Sequence, residues 1–217
     1  MLLGTSSQDI YGNRFRRARF ESFMKMIDVV IAEKGSCSIL DVGGEMAHWA
    51  PHEDLWRGKP IKVVIVNLKA EPVSAPFTSV AGDARTLEQF GDNEFDIVYS
   101  NSVIEHVGQW SDQKQMAAAI DRVATRHYVQ TPNYWFPLEP HFRYPFIHWL
   151  PEPWRVALVK RRARGCYPKA EDVSQARDIL QDAILLDEPA MKSLFPDSEI
   201  EREKVALMTK SLIAVRA

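Results

Sequence analysis

Cysteine is nearly absent: Cys37 and Cys166 are the only two, far apart and in no CxxC pair. That excludes a disulfide framework and leaves two inert thiols, suited to a reducing cytoplasm. No apolar run approaches the ~20 residues that a membrane span requires. The opening stretch, MLLGTSSQDIYGNRFRRARF, lacks the ordered charged, apolar and small-residue regions of a signal peptide. A cytoplasmic location is therefore expected. Excess charge of one sign is also missing, since the formal net charge is −2. It offers no bulk attraction to nucleic acid or to a membrane surface, so any partner must be read from a site. Internal repeats and low-complexity segments are absent too.

What is present is an ordinary globular composition, 46% hydrophobic and 26% charged over 217 residues. That length suits a single domain spanning 1–217 with one sizeable core. Apolar residues at helical spacing from Phe15 to Ile31 predict a first helix over about 13–33, stopped at Gly35. Short β-branched or apolar runs at 39–42, 61–68, 78–81, 95–100 and 127–130 predict strands. Brief or amphipathic segments at 47–56, 87–90 and 112–125 predict helices, the last capped by Ser111 or Asp112. Strands alternating with helices imply right-handed crossovers and a parallel sheet. Segments 201–207 and 211–215 read as a terminal antiparallel hairpin.

Between them the pattern changes. Residues 133–154 hold Trp135, Phe136, Phe142, Tyr144, Phe146, Trp149 and Trp154 among prolines. Helices are expected at 155–164, 173–186 and 188–195. Residues 133–186 are read as an insert: a small local core, a lid over the sheet's carboxyl edge, or both. The basic run from Lys160 to Arg164 reads as a solvated helix face.

The most informative segment is SILDVGGEMAHW, where the apolar pair Ile39-Leu40 ends in Asp41 and breaks at Gly43-Gly44. A buried strand stopping at a Gly turn before a helix exposes backbone N–H groups at the edge where parallel α/β sheets bind nucleotide-like ligands. Three further places follow in order: Asn67 ending the second strand, Gly82-Asp83-Ala84, and FDIVYS running into NSVIEH. Together these resemble the Rossmann-like (class I) S-adenosylmethionine-dependent methyltransferases. The resemblance covers the chain from Ile39 onward except for the insert. The run QTPNYWFPLEPHF further resembles a bacterial subgroup associated with glycan or small-molecule modification.

The resemblance implies an α/β fold with a seven-stranded, mostly parallel sheet, an antiparallel C-terminal hairpin and helices on both faces. It implies S-adenosylmethionine as cofactor and a small-molecule or glycan-type acceptor. Asp41 would attract the cofactor's ammonium, and Gly43 and Gly44 would let the backbone approach it. Asn67 would bond the ribose where the family usually has an acid. Asp83 and the Ala84 N–H would meet adenine, and Asn101 would face the reacting methyl. His106 and His141 are the candidate general bases, because imidazole titrates near neutral pH.

No metal site is expected. Ser102 stands where metal-binding relatives have another Glu, and Glu105 with His106 supplies too few ligands. Glu45 and Asn67 depart from the family pattern. They motivate a rival reading, a non-catalytic binding or scaffold protein on the same fold. A nicotinamide-dependent oxidoreductase is disfavoured by the missing GxGxxG.

Overall fold

The strand signals translate into one seven-stranded sheet in a computed structural model that describes residues 9–217. Part of the opening stretch read for a signal peptide (1–8) lies outside the described residues. Helix α1 (Asp9–Lys34) leads to β1 (Cys37–Val42), the short helices α2 (Met46–Trp49) and α3 (Glu53–Trp56), and β2 (Ile61–Asn67). Then come β3 (Phe77–Ala81), β4 (Phe95–Asn101), α4 (Trp110–Val123) and β5 (Ala124–Pro132). The insert carries β6 (Leu138–Glu139), β7 (Tyr144–Pro145), α5 (Glu152–Arg161) and α6 (Val173–Gln181). Helix α7 (Glu188–Leu194) precedes β8 (Glu199–Val205) and β9 (Met208–Arg216).

The sheet order is β3-β2-β1-β4-β5-β9-β8. Strands β1 to β5 run parallel, β9 runs antiparallel to β5, and β8 runs antiparallel to β9. The strand order reverses between β1 and β4, so the crevice outside their carboxyl ends is where a ligand fits such a sheet.

Alternation along β1 decides what that crevice contains. Ile39 faces α1, packing with Phe20, Phe23, Ile27 and Val30, whereas Leu40 and Val42 face α4 and α7. Asp41 shares the Ile39 face and is brought against Trp49 of α2, which is fully buried.

Two predicted details change. Residues 87–90 form turns rather than a helix, because Leu87 adopts φ +45° and interrupts any helical hydrogen-bond ladder. Helix α4 is capped by Gln109, not by Ser111 or Asp112: the Asp112 carboxylate reaches back to accept from the Gln109 N–H at 2.8 Å.

The insert has its own core of Phe142, Ile147, Val159, Ala170, Ala176 and Ile179. Arg164 is not on a solvated face; it is buried, with its guanidinium 4.1 Å from the centre of the Tyr144 ring. Among the described residues, no helix is long and apolar enough to cross a membrane.

Candidate active site

The β1 loop is shaped around one carboxylate. Asp41 is buried, and its Oδ2 accepts a 2.6 Å hydrogen bond from the Trp49 indole N–H. Its Oδ1 is equally buried and has no partner. Burial pushes its pKa up to about 7, with the Trp49 bond pulling the other way. Gly43 has φ +73°, and a Cβ there would lie 2.5 Å from a Val103 methyl. The sequence reading tied Gly43 to ligand approach; its packing against Val103 is an additional and sufficient reason for glycine. Glu45 is exposed and leaves the hollow beside Asp41 open.

Two cavities meet at this loop, sharing Gly43 and Ser102 in their walls. One, of about 410 Å³, is lined by Asn67, Asp83 and Ala84 together with Leu68, Val103 and His106. In it, the Asn67 Oδ1 accepts from the Leu68 N–H at 2.8 Å, while its Nδ2 lies 3.4 Å from the Gly44 carbonyl. The Asp83 carboxylate accepts from the Arg85 guanidinium at 2.6 and 3.0 Å, which holds its pKa below the usual range. The other cavity, of about 530 Å³, is lined by Asp41, Gly44 and Asn101 on the sheet side, and by Phe136, Leu138 and Pro140 of the insert. The Asn101 side-chain oxygen is buried and unpartnered. All seven residues predicted to hold the cofactor thus line the two connected cavities.

The two candidate bases, 35 residues apart in sequence, come together. His106 Nε2 lies 3.1 Å from His141 Nε2. His106 Nδ1 is 2.9 Å from the Asp182 carbonyl, and His141 Nδ1 is 2.7 Å from the Glu139 carboxylate. Burial works against charging His141, but Glu139 beside it, with Glu105 and Asp182 nearby, holds its pKa above the ordinary value. Glu105 is fully buried, and burial raises its pKa.

A model of the family described as "Methyltransferase domain" matches residues 54–127. Those residues, about a third of the chain, carry the methyltransferase-domain signature. No curated protein matches the sequence. Among solved structures, it is similar to magnesium protoporphyrin IX methyltransferase from Synechocystis PCC 6803 with bound SAH. That alignment covers 100% of this chain and 90% of the other, at 11% identity and a TM-score of 0.50. It is similar also to the DszA carbon methyltransferase, at 11% identity and a TM-score of 0.57, over 98% of this chain but 55% of that one. At such identities the likeness establishes the fold, a Rossmann-like methyltransferase sheet.

The larger cavity also contains groups that sequence reasoning missed. His48 Nε2 is 2.6 Å from the Tyr99 hydroxyl. Burial, with Arg19, His52 and Arg16 nearby, lowers the His48 pKa to about 4. The Tyr99 pKa is raised well above normal by burial. Arg16 and Arg19 of α1 and Lys210 of β9 line the same cavity. Burial and the two arginines lower the Lys210 pKa, while Glu203 opposes them. Tyr99 carried a signal, being the one side chain in FDIVYS with both a large apolar body and a hydroxyl. Lys210 carried none, because only the antiparallel return of β9 beside β5 brings it to this edge.

Proposed function

We propose that the chain methylates a small-molecule or glycan-type acceptor bearing an anionic group, with S-adenosylmethionine spanning the two cavities. The observation that carries the acceptor reading is the cationic wall of Arg16, Arg19 and Lys210 in the 530 Å³ cavity. Glu203 pairs with Arg19 at 3.2 Å and Lys210 at 3.5 Å, so three cations against one carboxylate leave a net positive wall, which favours a carboxylate or phosphate.

The residues fit the cofactor. The unpartnered Asp41 Oδ1 is a buried acceptor for an ammonium, and the 410 Å³ cavity offers nucleoside-sized space beside Asn67 and Asp83. Asn67 serves the ribose through its amide. Arg85 directs its backbone N–H and two guanidinium N–H groups at Asp83, which leaves the carboxylate one acceptor position for the adenine amine, with the Ala84 N–H beside it. Asn101 lies on the acceptor side of the Gly43–Ser102 neck, where the reacting groups meet.

When bound, the cofactor supplies an electrophilic methyl whose thioether leaving group needs no acid. The chain's contribution is orientation and exclusion of water by Phe136, Leu138 and Pro140. An acceptor hydroxyl must also lose a proton; His106, which lines the 410 Å³ cavity, and His141 in contact with it are the candidate groups to receive it.

A methyl-transfer assay across matched acceptors tests this reading. Acids should be turned over in preference to their neutral esters or amides. Lys210→Gln should raise KM for the acids by ~10-fold or more with little change in kcat, as loss of a charge-assisted bond implies. Equal use of neutral and anionic acceptors would contradict it.

A further inference from the structure

We propose that Glu105, His106 and His141 form a binding site for one divalent transition-metal ion of the zinc type. The starting point is a conflict of lone pairs. The Asp182 carbonyl only accepts, so His106 Nδ1 at 2.9 Å carries the ring proton. The Glu139 carboxylate does the same for His141 Nδ1 at 2.7 Å. The two Nε2 atoms then face each other across 3.1 Å, and only a shared proton or a cation can sit between their lone pairs. A metal cation there makes both atoms ligands. Ligand atoms around a tetrahedral zinc lie roughly 3.3 Å apart for bonds of ~2.0–2.1 Å, close to the separation observed.

The third ligand is waiting. Glu105 is 0% exposed; its Oε2 accepts from the Thr131 hydroxyl at 2.9 Å, while Oε1 is buried without a partner. One ligand atom from each of the three residues falls within 4.8 Å of the others. A buried carboxylate oxygen with no donor is costly, and a metal removes the cost. The ligands are also held from behind. Glu139 is buried, braces His141 and accepts from the Phe142 N–H, and the Tyr167 hydroxyl bonds the Asp182 side chain at 2.7 Å. A carboxylate behind a ligating imidazole fixes its tautomer and orientation.

Two nitrogens and one oxygen select zinc-like ions over magnesium or calcium, which prefer all-oxygen shells. Three protein ligands leave a fourth position open, and His106 lines the cofactor cavity beside the neck. With the ion bound, the two imidazoles ligate it instead of acting as bases, and an acceptor hydroxyl at the open position would have its pKa lowered enough to release its proton to solvent. That consequence rests on the proposed methyl transfer; the site itself does not.

The test uses the full-length protein, stripped with a chelator and titrated with zinc chloride against a chromophoric competitor. One ion per chain at sub-micromolar Kd is expected. Glu139→Gln should weaken binding ~10–100-fold, and His141→Gln by at least as much. An unchanged far-UV circular dichroism spectrum and a cooperative thermal transition serve as the check on each variant's folding. Absence of stoichiometric zinc binding would overturn the proposal, leaving a proton shared by the two rings. Zinc binding unchanged in both folded variants would overturn it equally. No methyl transfer is required, so this outcome and that of the acceptor assay are read separately.

Discussion

Gly44 leaves no room for a side chain next to Asp41: a Cβ there would fall 1.9 Å from the Asp41 Oδ2. That oxygen already holds the Trp49 indole N–H. Gly44→Ala must displace either the carboxylate or the loop. S-adenosylmethionine affinity should fall by ~10-fold or more, about 1.4 kcal/mol, as measured by calorimetry. Retained affinity would separate Asp41 from cofactor binding.

The Asp41 carboxylate sets a pH dependence. Its pKa of about 7 is raised from 3.8, so the fold favours the protonated acid. Sign follows directly: the contribution of Asp41 to the stability of the ligand-free protein is greatest below pH ~4, declines as pH rises from there to ~7, and is then flat, a loss on the order of 4 kcal/mol. Cofactor binding runs the opposite way, since an ammonium needs the carboxylate. Affinity should be flat above pH ~7 and fall toward tenfold per unit below it. Calorimetry across pH 5.5–8.5 reads this; a pH-independent Kd would contradict it. Asp41→Asn should raise Tm at pH 8 while weakening cofactor binding, and a lower Tm would show that burial of the charge is not the dominant cost.

Trp49→Phe removes the donor that holds Asp41 and leaves Oδ2 buried without a partner. A bond to a charged group contributes about 1.5–3 kcal/mol, so the pH midpoint for cofactor binding should move upward by roughly one to two units. An unmoved midpoint would mean that the indole only packs.

The insert stands on its own small core, in which Ile147 is fully buried. Ile147→Ala should cost about 2–4 kcal/mol of local stability. Because Phe136, Leu138 and Pro140 wall the larger cavity, acceptor KM should rise while cofactor affinity holds. Hydrogen exchange over 133–186 and the two binding constants check this together. Equal loss of both constants would tie the insert to the whole fold.

The central strands were legible as apolar runs buried on both faces, as Ile65 and Val66 of β2 and Ile97 and Val98 of β4 are, with Lys62 an exposed interruption near the start of β2. Asp41 and Gly43-Gly44 were legible because a strand that ends in a carboxylate and a glycine turn meets the sheet edge by chain continuity. The His106–His141 contact was not, since the insert must fold before residues 35 apart reach 3.1 Å. His141, the further ligand in the proposed metal site, was out of sight for the same reason. The cationic wall was illegible for the same reason, joining α1 to β9 from opposite ends of the chain. Leu87 misled because its positive φ is imposed by packing against the core and not by its propensity.

A crystal structure with S-adenosylhomocysteine is the most direct test of the central placement. The account predicts its amino group within hydrogen-bond distance of Asp41 Oδ1 and its adenine in the cavity lined by Asn67 and Asp83. Adenine in the Arg19–Lys210 cavity, or an amino group remote from Asp41, would contradict it.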